Sequence, residues 1–131
     1  MKSRSHKKYQ EIIRALFLEL NMVVQIEANR VDCLIKDVKN KKTMAVEIEL
    51  NSKWAVCNIR RDMQLGCDVI VVLCKNEQIM GRIKSRIKSE LPDKCEKIHC
   101  YLIDNYIHLI RKIIINKSLY WNSSELNTKS N

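Results

Sequence analysis

The sequence predicts a three-layer α/β domain, a mixed β-sheet flanked by helices, and three patterns carry that expectation. Tyr9, Ile12, Ile13, Leu16, Phe17 and Leu20 recur at helical spacing. Met44, Val46, Ile48 and Leu50 alternate with Thr43, Ala45, Glu47 and Glu49, the signature of a strand with one apolar face. Asp68-Val69-Ile70-Val71-Val72-Leu73-Cys74 is unbroken apolar sequence after its first residue, as expected of a strand covered on both faces.

Taken in order, residues 5–20 read as a helix that Ser5 can cap and Asn21 ends. Short β-rich runs follow at 23–26 and 31–35, and Lys39-Asn40-Lys41-Lys42 reads as a hairpin turn into the strand at 43–50. Residues 54–65 suit a helix with Asn51 or Ser52 near its start, ahead of the apolar strand. Residues 77–91 form a basic amphipathic helix, with Ile79, Ile83, Ile87 and Leu91 on one stripe and Pro92 as its stop. A strand is expected from Ile98 to Ile103, then a helix or strand over 104–116. Residues 1–121 make one domain, and the Ser-, Asn- and Thr-rich residues 122–131 are expected to be a frayed tail.

Composition narrows the function. The chain has 131 residues, enough for one core, and a formal net charge of +9, which favours a polyanionic partner, nucleic acid before an acidic membrane. Only two glycines are present, so glycine-rich phosphate loops are excluded, and ATPase, kinase and dinucleotide-binding readings go with them. The apolar stretch 12–20 is too short and too charged for a signal peptide or membrane span, so a cytoplasmic protein is expected. The six cysteines mostly sit in apolar runs and are expected to be reduced core thiols; Cys95, His99 and Cys100 lack a fourth partner for a structural zinc. Trp54, Tyr120 and Trp121 read as packing residues.

The chemistry lies in Asp32, Glu47, Glu49 and Lys53. Residues i and i+2 of a strand point the same way, roughly 7 Å apart, so Glu47 and Glu49 share a face. Such a like-charged pair must be solvated, matched by basic groups, or hold a cation. A hairpin pairing the two strands would bring Asp32 beside them, and three carboxylates near a lysine suit Mg²⁺ or Mn²⁺. The plainer expectation is a solvated edge strand whose glutamates pair with Lys41 or Lys42.

Arg30-Val31-Asp32-Cys33-Leu34-Ile35, the Lys/Asn turn, Met44 through Lys53, the following helix and Asp68 through Leu73 together resemble a PD-(D/E)xK (restriction-endonuclease-like) nuclease core over residues 5–75. The motif Val46-Glu47-Ile48-Glu49, followed by Lys53, is also similar to nuclease-like domains of mobile-element and conjugation proteins. The resemblance implies a metal-dependent endonuclease acting on DNA, with Asp32 and Glu47 as metal ligands and Glu11 as a helical carboxylate. The sequence departs from the family at two positions. Val31 stands where a proline is usual, and Glu49 replaces the catalytic lysine. Glu49 would then be a second metal ligand or the general base, or Lys53 would supply the positive charge.

Lys7, Lys8, Arg82, Lys84, Arg86 and Lys88 are candidate phosphate contacts that would bind without reading sequence. Nucleases of this kind often dimerise to cut both strands, and the apolar stretch Ile107 to Ile115 is the candidate interface for a homodimer. Two other readings stand beside the enzyme. One is the same fold acting as a non-catalytic DNA-binding or partner-docking module, which the Glu at 49 favours. The other is an RNA-binding or purely structural domain.

Overall fold

The computed structural model describes the backbone of residues 2–121 and the side chains of residues 2–116, so the expected tail and the side chains of Tyr120 and Trp121 lie outside the described residues. Helix α1 (Arg4–Glu19) is followed by β1 (Val23–Ile26), β2 (Cys33–Asp37), β3 (Lys42–Glu49), α2 (Ala55–Gln64), β4 (Val69–Cys74), α3 (Glu77–Glu90), β5 (Ile98–Leu102) and α4 (Ile103–Trp121). The five strands form one sheet in the order β1-β2-β3-β4-β5. The first three pair antiparallel, and β3, β4 and β5 pair parallel, joined by the crossover helices α2 and α3. This is the three-layer α/β arrangement the sequence patterns predict.

The two faces of the sheet build separate cores. Cys33, Ile35, Val46, Ile48, Val71 and Leu73 pack under α1 and α4 through Ile13, Phe17, Ile103 and Ile107. Leu34, Ala45, Ile70, Val72 and Cys74 pack under α2 and α3 through Ala55, Ile59, Ile79, Ile83 and Ile87. Each fully buried isoleucine adds roughly 1.5–3 kcal/mol of stabilisation. The alternation read in β3 therefore separates one apolar face from another face that is equally buried, and β3 is a central strand. The solvated edge-strand expectation fails for that reason.

Local differences have local causes. Ser3, not Ser5, caps α1, its side chain accepting from the His6 amide at 3.1 Å. The hairpin turn is tightened by Asp37, which accepts from the amide of Asn40 at 3.2 Å, and Lys41 takes a left-handed φ of 56°. Asn76 caps α3 through the Ile79 amide at 2.9 Å. The ambiguous 104–116 segment is helical, with Ile107 and Ile110 in the core and Leu109, Ile113 and Ile115 exposed. All six cysteines are free; Cys33, Cys67 and Cys74 are buried, but Cys57 and Cys95 are exposed. Among the described residues, no helix is long and apolar enough to cross a membrane.

Candidate functional site

The hairpin of β2 and β3 pairs Cys33 with Val46, which sets Asp32, one step beyond the paired residues, across from Glu47. The three sheet carboxylates expected at the site are buried: Asp32 is 1% exposed, Glu47 1% and Glu49 6%. Burial of that degree is costly for a charge unless it is partnered. Each carboxylate has its own set of partners.

Asp32 is met from α1 and the segment before it. Its Oδ2 accepts from the Ile48 amide at 2.7 Å and lies 3.2 Å from Nε2 of His6, while Oδ1 lies 2.9 Å from the Lys2 ammonium. Burial alone would push this carboxyl up, but the hydrogen bonds from His6, Ile48 and Lys2 outweigh it and hold Asp32 below the usual carboxylate range. Gln10, one turn along α1 from His6, donates to the backbone carbonyl of Asp32 at 3.1 Å and to Oε2 of Glu27. Glu27 stands at the exit of β1 in the left-handed region, φ 60°, with Asn29 and Arg30 also at positive φ. That tight segment brings its carboxylate toward Asp32.

Glu47 and Glu49 face α2 instead. Oε2 of Glu47 accepts from Arg61 at 2.9 Å, and Arg61 also reaches Asp62 at 3.2 Å. Burial, then the hydrogen bond and charge of the neighbouring Asp62, drives the Glu47 carboxyl upward; burial raises Asp62 as well, so the two acids titrate as a pair. Oε1 of Glu49 accepts from Asn58 at 2.9 Å. Burial pushes the Glu49 carboxyl up to about 7, against the Asn58 hydrogen bond and the positive charge of Lys2. Two strand residues span about 6.6 Å and four helical residues about 6 Å, so the Glu47/Glu49 pair on β3 meshes with Arg61–Asp62 and Asn58 on α2.

The structure thus brings Asp32, Glu47 and Glu49 to one end of the sheet but gives them different company. Among the described residues, the group whose ligand atoms lie within 4.8 Å of one another and could hold a metal ion is His6, Glu27 and Asp32. The donor set fits a cation, since it joins one imidazole to two carboxylates.

Two expected positions fall elsewhere. Glu11 points outward and pairs with Arg14 at 3.3 Å, because one residue turns the helix by about 100° and it is Gln10 that faces Asp32. Lys53 holds its ammonium 5.1 Å over the Trp54 ring, and the cation beside Asp32 is Lys2. Lys7, Lys8, Arg82, Lys84 and Lys88 are exposed, whereas Arg86 is tied to Glu90 at 2.9 Å and to the Ser52 carbonyl at 3.4 Å. Beside the carboxylates opens a pocket of about 430 Å³ lined by Lys2, His6, Glu49, Asn51, Trp54 and Asn58, among others.

His6, Gln10, Glu27, Arg61 and Asp62 were not among the residues expected at the site. Compared with protein-family models, curated proteins and solved structures, the chain shows no significant match to any of them.

Proposed function

We propose that this chain is a divalent-metal-dependent DNA endonuclease domain, similar in plan to the PD-(D/E)xK nucleases. The observation that carries the reading is the grouping of His6, Glu27 and Asp32 beside an open pocket on a chain of net charge +9. His6, Glu27 and Asp32 would hold the ion, and the imidazole tilts their preference from Mg²⁺ toward Mn²⁺. A divalent cation bound there supplies Lewis acidity toward a phosphodiester oxygen and lowers the pKa of a bound water.

The chain's own groups do the rest. Gln10 orients Glu27 and the Asp32 carbonyl. Lys2, released from Asp32, is placed to neutralise a non-bridging phosphate oxygen. Glu49, whose carboxyl titrates near neutrality, is the group suited to accept a proton from the attacking water. The exposed cations of α1 and α3 would hold the DNA backbone. The domain would work in the cytoplasm, and exposed Leu109, Ile113 and Ile115 offer a face for a homodimer.

A non-catalytic binding module is the second reading. It is favoured by the commitment of Glu47 to Arg61 and Asp62 and of Glu49 to Asn58. Supercoiled, linear and branched DNA incubated with the protein in Mg²⁺ and in Mn²⁺ separates the two. Nicking that Asp32→Asn abolishes supports the nuclease; identical inactivity of wild type and variant on every substrate removes it. Titration calorimetry with Mn²⁺ adds the second arm: binding lost in His6→Ala and Glu27→Ala is expected of the metal site.

A further inference from the structure

Trp54 is the aromatic side chain among the exposed large hydrophobics of the described residues. It stands at the start of α2 and is 58% exposed. The other exposed large hydrophobics among the described residues are aliphatic, and none of them borders the pocket beside Asp32 and Glu49. Trp54 does border it, together with Glu49, Asn58, Lys2 and His6. Its placement is built: Asn51 accepts from the Lys53 amide at 3.0 Å, closing the turn that delivers the ring to the rim. Lys53 sets an ammonium 5.1 Å from the ring centroid.

An indole that leaves a large apolar face in water is a platform for another flat, weakly solvated group. A cation beside it, over a polar pocket that Lys2 also lines, matches a nucleotide better than a peptide: the base stacks, and the phosphate meets Lys53 or Lys2. The pocket volume falls within the range of small-ligand sites. A base inside a duplex has both faces covered by its neighbours, so an unpaired base, or the last pair at a duplex end, can lie on the ring.

We propose that Trp54 is a stacking platform for an unpaired nucleobase of a DNA strand, and that it directs the pocket toward single-stranded or frayed DNA over intact duplex. The inference rests on the proposal that the chain acts on DNA, and it concerns positioning, not chemistry.

The test uses the full chain in EDTA, so that binding is read without cleavage. The chain has two tryptophans, and a Trp121→Phe background leaves Trp54 as the sole indole reporter. A short single strand is expected to quench its emission, and a relaxed covalently closed duplex circle, which has no open ends, is not. By anisotropy of labelled DNA, Trp54→Ala should weaken single-strand binding roughly ten- to a hundredfold, with Trp54→Tyr restoring most of it and duplex binding unchanged. Circular dichroism checks that the variant is folded. Unquenched emission, or equal single-strand affinity for wild type and Trp54→Ala, overturns the proposal. Metal-dependent nicking of plasmid is scored separately. Nicking without stacking removes the platform alone, and stacking without nicking removes the nuclease reading alone.

Discussion

Oδ2 of Asp32 accepts a 2.7 Å hydrogen bond from the amide of Ile48, linking the entry of β2 to the end of β3 where the carboxylates gather. Because Asp32 is held charged in a buried position, its partners depend on it as much as it depends on them. Asp32→Ala leaves the Ile48 amide, His6 and Lys2 without their acceptor and should cost about 1–3 kcal/mol in urea unfolding. Asp32→Asn keeps one acceptor oxygen and should cost less. The folded-state carboxyl titrates below its unfolded value of 3.8, so its contribution is full above that pH and is lost as pH falls through the lower, folded value. The gap between wild type and Asp32→Asn should therefore close in acid.

Glu49 carries the opposite sign. Its folded carboxyl keeps a proton to about pH 7, against 4.5 for the unfolded chain. The stability this supplies is full below pH 4.5 and gone above pH 7. Glu49→Gln is neutral at every pH and can still accept from Asn58. At pH 8 it should be more stable than wild type by up to about 3 kcal/mol, with the difference vanishing toward pH 4. Equal unfolding midpoints at pH 8 would show that Glu49 ionises without penalty.

Burial and the neighbouring Asp62 favour the neutral form of Glu47. Glu47→Gln supplies a neutral donor of the same shape and should change stability by less than about 1 kcal/mol. Glu47→Ala empties a packed position between β3 and α2 and should cost about 2–4 kcal/mol. A glutamine variant that unfolds as easily as the alanine variant would mean that Glu47 is charged in the folded protein.

The proposed DNA binding through exposed α3 cations should follow counterion release. Removing one phosphate-binding ammonium, as in Lys84→Ala or Lys88→Ala, should flatten the plot of log affinity against log salt by about 0.9. Arg86→Ala should act differently, loosening the Glu90 and Ser52 contacts and lowering stability with little change in slope. An unaltered slope in the Lys84 and Lys88 variants would place the DNA on another face.

The layers of the fold were legible because hydrophobic periodicity is local information. The stripe of Ile79, Ile83 and Ile87 and the unbroken run of β4 each name their element without help from the rest of the chain. The encounter of Asp32 with Glu47 was legible too, since a hairpin of that length sets the register. The partners were harder to see. His6 and Gln10 continue the buried stripe of Ile13 and Phe17, and Asp62 continues that of Ala55 and Ile59, so polar residues on an apolar stripe were the available signal. Glu27 had no comparable mark, because its approach to Asp32 depends on left-handed backbone at residues that are not glycine. Glu11 misled because a carboxylate one position from the correct face looks right in a string of letters and is wrong by about 100° on a helix.

The meshing of β3 with α2 makes residues 50–54 a spacer of defined length. Substitutions there can change the pocket rim and leave the carboxylates as they are. One residue inserted or removed would turn α2 by about 100° and carry Asn58, Arg61 and Asp62 off their glutamates together, leaving two buried acids without partners. The connection between strand and helix can therefore diversify in composition while remaining intolerant of any change in residue count.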